Sequence, residues 1–456
     1  MLETFGFVPH PVRVLSIFRE GSNVALFGYG RWGRRLVRAG VASIIALPAP
    51  VGVGVAAAGT PAAAPLRALS LTGLGLKTGS DPYTAPLAAE FEQVGIGGVL
   101  SGSDRVALPG PEDPACAARA AYLPRLPVRS WFCWDTKAQG DREDLPHSPW
   151  VPQGLATSGE AQLDGTPIGS EHRALITSWT WLNSPDPNAP DYRTNSVILS
   201  VADLDERRYR NVLPVWVDGQ GGLRRVYGHG GGLAWYGPYL FMTSSSNWNG
   251  YSGPSSTKHT IRVFDTRKIY RKRDGGGGDY RYVMPEVRHY VTPIRFDYVS
   301  LDRNSSGGAT LVAGTYQRSD GTAASLTGTT LVRYRFQPPP DGDYRLLAAP
   351  VGAYASTVPA DRANAISDVQ GVQADGDRLY LNMAAGSHPG PDPRRRFATV
   401  DVGGAASTWT INAHTSWSYR PEDLSLWYAT GELWGLTEGE EERVVFSVRA
   451  ADTDPA

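Results

Sequence analysis

The chain has 456 residues, with 44 lysines and arginines against 45 aspartates and glutamates, so its formal net charge is −1. That balance leaves no basic field to hold nucleic acid or an anionic membrane surface. The length would serve two or three ordinary domains, but 52 glycines, 35 prolines and 13 tryptophans beside only 20% charged residues favour one closed all-β repeat assembly.

Residues 1–64 read as an N-terminal extension with an export signal. Arg31, Arg34, Arg35 and Arg38 form a basic segment, Val41–Val55 is a short apolar run, and Ala56–Ala58 or Ala62–Ala64 supplies small residues for cleavage. Pro48 and Pro50 interrupt the run, which fits removal better than a permanent span. Gly33-Arg34-Arg35-Leu36-Val37-Arg38 resembles a twin-arginine signal with Gly33 in place of the usual Ser or Thr, and a Sec-type signal is the alternative. Either route predicts a secreted protein with no membrane attachment once the signal is removed.

Residues 65–127 read as a linker with short helices. Pro65–Ser80 is rich in small residues, Tyr83–Val94 has apolar residues near helical spacing, and Ala115–Tyr122 is a second, shorter helix candidate. Cys116 and Cys133 are the two cysteines of the chain. In an oxidising compartment they are expected to pair, closing a loop of about 18 residues. No second Cys or His pair accompanies them, so their spacing does not make a metal site.

A β-propeller domain is expected over 128–450, followed by a short tail, 451–456. Its unit is clearest at Leu233-Ala234-Trp235-Tyr236-Gly237-Pro238-Tyr239-Leu240-Phe241-Met242, two apolar runs joined by Gly-Pro, followed by the alternating Ile261-Arg262-Val263-Phe264-Asp265. The grammar recurs from Gln153 through Arg173–Trp179 to Ser196–Asp203. It returns at Asp297–Ser300, Thr310–Gly314 and Leu331–Phe336, then at Gln370–Gln373, Asp377–Leu381 and Phe397–Asp401. The final copy is Glu422–Trp427, Glu432–Leu436 and Val444–Val448. Five copies at a spacing of roughly 50 to 75 residues predict five four-stranded blades. The last copy lacks an outer strand, and Val128–Asp135, which precedes the first copy, is expected to supply it and close the ring. Trp179 and Trp235 are expected to pack between blades.

In such a ring, equivalent residues of the innermost strands converge on one mouth of the axis. Aligned copies bring together Gln153, Gly231, Asp297, Gln370 and Glu422, and, two residues earlier, Val151, His229, Arg295, Asp368 and Arg420. Most are polar and they differ from copy to copy, the pattern of a shaped pocket. Solvation in a water-filled channel, or hydrogen bonding between blades, is the plain alternative. His229 precedes three glycines, a backbone that admits close approach, and would titrate near neutrality as a general base with Arg295 or Arg420 neutralising a substrate carboxylate. The residues require no cofactor, though His229 with Asp297, Asp368 or Glu422 would make a mixed divalent-metal set. Asp297, Asp368 and Glu422 would also serve paired-carboxylate hydrolysis.

The His229-Gly230-Gly231-Gly232-Leu233-Ala234-Trp235-Tyr236-Gly237 run with Ile261–Asp265 resembles uncharacterised secreted β-propeller proteins of actinobacteria, over about residues 128–450. The resemblance implies the fold and an extracellular location, and it brings no catalytic residues with it. The leading expectation is a monomeric secreted propeller that binds a polar ligand, a glycan by class, at the mouth of its axis. The rivals are an extracellular polysaccharide lyase or glycoside hydrolase using His229 with the channel arginines or the carboxylates, and a protein-interaction scaffold.

Overall fold

A computed structural model describes residues 66–79, 87, 90–134, 150–181, 196–218, 222–245, 259–273, 281–316, 327–337, 342–357, 366, 368–384, 396–403, 410–414, 417–439 and 442–454. Residues 1–64, read above as carrying an export signal, and half of the Tyr83–Val94 segment lie outside the described residues.

Among the described residues, strand pairing builds five antiparallel meanders. The first runs Trp150–Thr157, Ala174–Trp181, Val197–Asp203 and Arg208–Val217. The second is Leu233–Tyr236, Tyr239–Ser245, His259–Asp265 and Tyr282–Val291, and the third Tyr298–Asp302, Thr310–Gly314, Thr327–Phe336 and Leu346–Thr357. The fourth comprises Val369–Asp375, Arg378–Met383, Arg396–Asp401 and Thr410–His414. The fifth has Pro421–Trp427, Glu432–Thr437 and Val444–Arg449. Its fourth strand is Val128–Trp134, in register with Val445 opposite Phe132 and Phe446 opposite Trp131. The chain's early segment thus completes its last sheet, as the incomplete final copy predicts.

The strands are buried on both faces because each sheet is packed on two sides. Five apolar clusters alternate with the five sheets. Trp427, Trp434 and Phe132 of the fifth meet Trp150, Trp179 and Tyr209 of the first. Ile176 and Val197 of the first meet Trp235 and Phe264 of the second, and Phe241 and Val263 meet Val299 and Tyr334 of the third. Val312 and Leu331 then pack on Val372 and Leu381 of the fourth, and Phe397 and Tyr380 on Leu424 and Phe446 of the fifth. The innermost strands also touch in sequence, with the fifth returning to the first. Radial sheets, one interface per neighbouring pair and a closed circuit define a β-propeller. Trp179 and Trp235 are fully buried between blades.

The stretch read as a linker is instead a belt. Leu66–Ala68 adds to the outer strand of the third blade, and Lys77–Thr78 to that of the second. Phe91–Gln93 then pairs with Tyr270–Lys272, the helix Gly95–Ser101 packs Ile96, Val99 and Leu100 against the first and second blades, and Arg105–Pro109 pairs with both Arg208–Tyr209 and Phe132–Trp134. Small residues suit a segment that must lie flat on sheet edges, and pairing them removes exposed edge strands. The second helix candidate resolves into Pro114–Ala117, capped by the Asp113 carboxylate on the Ala115 and Cys116 N–H groups, and a single 3-10 turn at Ala120–Tyr122. Cys116 and Cys133 form a disulfide, Cα–Cα 5.5 Å, that pins the belt to the closing strand.

Candidate functional site

The mouth lies where the innermost strands begin, and three blades carry the same irregularity there. The register slips between Pro152 and Leu155, between Val369 and Gly371, and between Pro421 and Leu424. These bulges fall on Gln153, Gln370 and Glu422–Asp423, and a bulge re-aims the side chains it carries. Immediately before them, Asp368 (φ 54°) and Arg420 (φ 43°) adopt left-handed backbone, uncommon for residues with a Cβ. The two are equivalent positions of the aligned copies.

The predicted residues divide into two groups by exposure. Arg420 is exposed, and Arg295 (side chain 38% exposed), Gln370 and His229 are partly so. Gln153, Asp297, Asp368 and Glu422 are buried. Arg295 Nε donates to Asp297 Oδ1 at 2.5 Å, and the Tyr316 N–H donates to Oδ2 at 2.7 Å. Burial pushes the Asp297 carboxyl upward against both of these partners. Gln370 Nε2 donates to Glu422 Oε1 at 3.3 Å, and Asn382 Nδ2 to the Glu422 carbonyl at 2.5 Å, so the fourth and fifth blades are tied at the mouth. Gln153 turns its amide back onto the Pro152 carbonyl. Burial, with Glu438 and Asp423 close by, holds Glu422 protonated well above the usual carboxylate range. Burial raises Glu438 as well, against Arg420 and Arg443.

His229 departs from expectation. Burial, helped by the Arg295 charge, lowers its pKa to about 4, so it is neutral at pH 7 and a weak base there. The glycines after it admit protein backbone: a Cβ on Gly231 would stand 2.3 Å from the Asp297 carbonyl oxygen, and one on Gly232 2.3 Å from the Val299 nitrogen. The third blade occupies the space that the glycines leave. Among the described residues, no group of three or more His, Cys, Asp or Glu is placed to hold a metal ion, so the His229, Asp297, Asp368 and Glu422 set is not assembled as ligands.

Buried residues that sequence reasoning missed join the innermost strands to one another. Asp423 Oδ2 accepts from the Leu155 and Leu233 N–H groups, both at 2.9 Å, joining the fifth blade to the first and second. Glu160, on the short helix Ser158–Ala161, accepts from the Leu301 N–H at 3.0 Å and from Ser425 Oγ at 2.9 Å, which joins the third and fifth. Gln373 donates to the Leu301 carbonyl and accepts from the Leu426 N–H. Burial raises Asp423 well above its ordinary pKa and Glu160 to about 8. The adjacent acids Glu422-Asp423 inside a buried strand were the available signal for Asp423. Glu160 sits beyond its strand, where the periodicity argument did not reach.

No family model matches the chain. Among solved structures it is similar to the β-propeller domain of Cps50 (Swd1) from Myceliophteria thermophila, at 13% identity and TM-score 0.25, covering 64% of this chain and 62% of that one. The chain therefore spans under two thirds of that domain. It is also similar to a GH43_1 enzyme from Xanthomonas citri, at 11% identity and TM-score 0.34 over 68% and 92% of the two chains. Kuenenia stuttgartiensis hydrazine synthase matches at 11% identity and TM-score 0.27 over 69% and 99%. These likenesses are distant, and the fold rests on the strand pairing and interblade packing described above.

Proposed function

We propose that the protein is an exported β-propeller whose axial mouth binds a polar ligand, a glycan by class, without turning it over. One observation carries this reading: the groups wholly or partly exposed at the mouth include guanidinium, amide and neutral imidazole beside Glu438, whereas the carboxylates of Asp297, Glu422 and Asp423 are buried and bonded to protein. Asp297 is tied to Arg295 and the Tyr316 N–H, and Asp423 to two neighbouring blades. Arg420, on left-handed backbone, and Gln370, on a bulge, offer donors to sugar hydroxyl or carboxylate oxygens. The Cys116–Cys133 disulfide fits an oxidising, extracellular setting.

A second reading, glycoside hydrolysis, is favoured by one feature: Glu422 stays protonated beside Glu438, as a general acid must. Titration calorimetry against neutral and uronate-bearing oligosaccharides, with product analysis on the same samples, separates the two. Saturable binding with intact ligand is expected. Reducing-end release, lost in Glu422→Gln, would replace the binding reading with the hydrolase. An unsaturated uronate product, lost in His229→Ala, would replace it with the lyase.

A further inference from the structure

The belt guards four blades and leaves one. It adds strands in turn to the outer edges of the third, second, first and fifth blades, and ends at the disulfide beside the fifth. The fourth blade is a separate four-stranded sheet. Among the described residues its outer strand, Thr410–His414, pairs with Arg396–Asp401 on one side and with no strand on the other. An edge in this state presents a row of backbone N–H and C=O groups that invites another strand.

The sequence protects the covered edges and not this one. Charge or proline breaks every outer strand that the belt reaches: Arg208, Arg210 and Pro214 in the first blade, Pro285, Glu286 and Arg288 in the second, Pro350 in the third, and Arg129 in the fifth. In the second, third and fifth blades the outer strand also slips in register against its neighbour. Thr410–His414 has none of these devices. It pairs with its neighbour over five consecutive residues without a slip. No Asp, Glu, Lys, Arg or Pro occurs from Val402 to Tyr419, in a chain that is 20% charged. A regular, neutral, uncovered strand is the kind that natural sheets avoid unless it has a partner.

We infer that this edge pairs with the same edge of a second copy of the chain, antiparallel about a two-fold axis through Asn412, so that two fourth blades become one continuous sheet. In that register Thr410 stands opposite the partner's His414, and Ile411 opposite the partner's Ala413. Two-fold rotation maps an antiparallel strand pair onto itself, so a single edge supplies both halves of an isologous contact. Neutrality points to a second copy as the occupant. A strand of one charge sign would repel its own copy across such an axis, whereas an edge that recruits a foreign strand gains by carrying charge complementary to it. Five residues a side fall short of the roughly 20–30 of a standard stable interface, so the pair is weak and depends on concentration. It takes the place of the monomer expected from the sequence, and it is independent of the reading given to the mouth.

The test is sedimentation velocity of the full chain from about 1 μM to about 1 mM, with hydrogen exchange measured at both ends of that range. A monomer–dimer equilibrium is expected, with exchange at Thr410–His414 slowing as concentration rises. Thr410→Lys with His414→Lys sets lysine opposite lysine across the axis and should weaken the dimer about tenfold or more. Thr410→Lys with His414→Glu sets lysine opposite glutamate in the same register and should bring association back to the native level. Both variants place the same lysine opposite Asp401 of their own sheet, and near-UV circular dichroism verifies that each is folded. A native chain that stays monomeric throughout, or a lysine–glutamate variant that associates no better than the double-lysine one, overturns the inference. Exchange at Thr410–His414 that is equally slow at every concentration would show another part of the same chain covering the edge, and overturns it as well.

Discussion

Gly232 shows how a single hydrogen in place of a methyl sets the distance between two blades. A Cβ there would overlap Val299 N and Tyr298 Cα, both main-chain atoms that cannot swing aside. Gly232→Ala is therefore expected to cost about 1–3 kcal/mol, read as a lower denaturant midpoint with an unchanged m-value. Glu160 makes a different kind of prediction. Its pKa is about 8 in the folded chain against an ordinary 4.5. Between those pH values the unfolded chain has released a proton that the folded chain keeps, so stability falls as pH rises through this window and levels off above it. Glu422 and Asp423 shift in the same direction and add to the slope. Glu160→Gln keeps a neutral group of the same shape facing the Leu301 N–H and Ser425. It should flatten the curve by on the order of a few kcal/mol between pH 5 and about 8, measured by urea unfolding across that range.

Individual elements differ in how plainly the chain announces them. Innermost and second strands such as Leu233–Tyr236 and Tyr239–Ser245 were legible because aromatic and aliphatic runs flank a Gly-Pro turn, where Gly237 takes φ 56°. The closing role of Val128–Trp134 was legible from what the last copy lacked. The belt was not, because a strand of two or three residues lying on an edge has too few side chains for period-two alternation to show. Its attachment gives a prediction at this scale. Reducing the Cys116–Cys133 bond, or replacing both cysteines with serine, should lower unfolding stability by about 3 kcal/mol by the loop-entropy argument. Hydrogen exchange should speed up first at Arg105–Pro109, which the disulfide holds against the closing strand. Exchange unchanged there would mean that strand pairing alone secures the belt.

At the scale of the whole molecule, stability comes from five interfaces in a circuit, so the joint that completes it matters out of proportion to its length. Phe132 sits at that joint, in the cluster between the fifth and first blades. Phe132→Ala should cost about 3–5 kcal/mol, a larger loss than truncating an exposed apolar residue such as Leu163, checked by thermal unfolding. The circuit also explains which parts of the site were readable. Alignment of copies gives His229, Arg295, Asp368 and Arg420 equivalent positions because the ring repeats, but exposure depends on neighbouring blades. That is why Asp297 and Glu422, equivalent to Gln370 in the repeat, are buried while Gln370 is not.

The direct test of the mouth compares two variants with the native chain in one titration against the best-binding oligosaccharide. One is the double change Gln370→Ala with Arg420→Ala; the other is Glu422→Gln, which leaves a neutral group where a protonated carboxyl already stands. If exposed donors hold the ligand, the first loses affinity by tenfold or more, on the order of two lost hydrogen bonds, while the second binds as the native chain does. Native-like binding by the double variant would contradict the account.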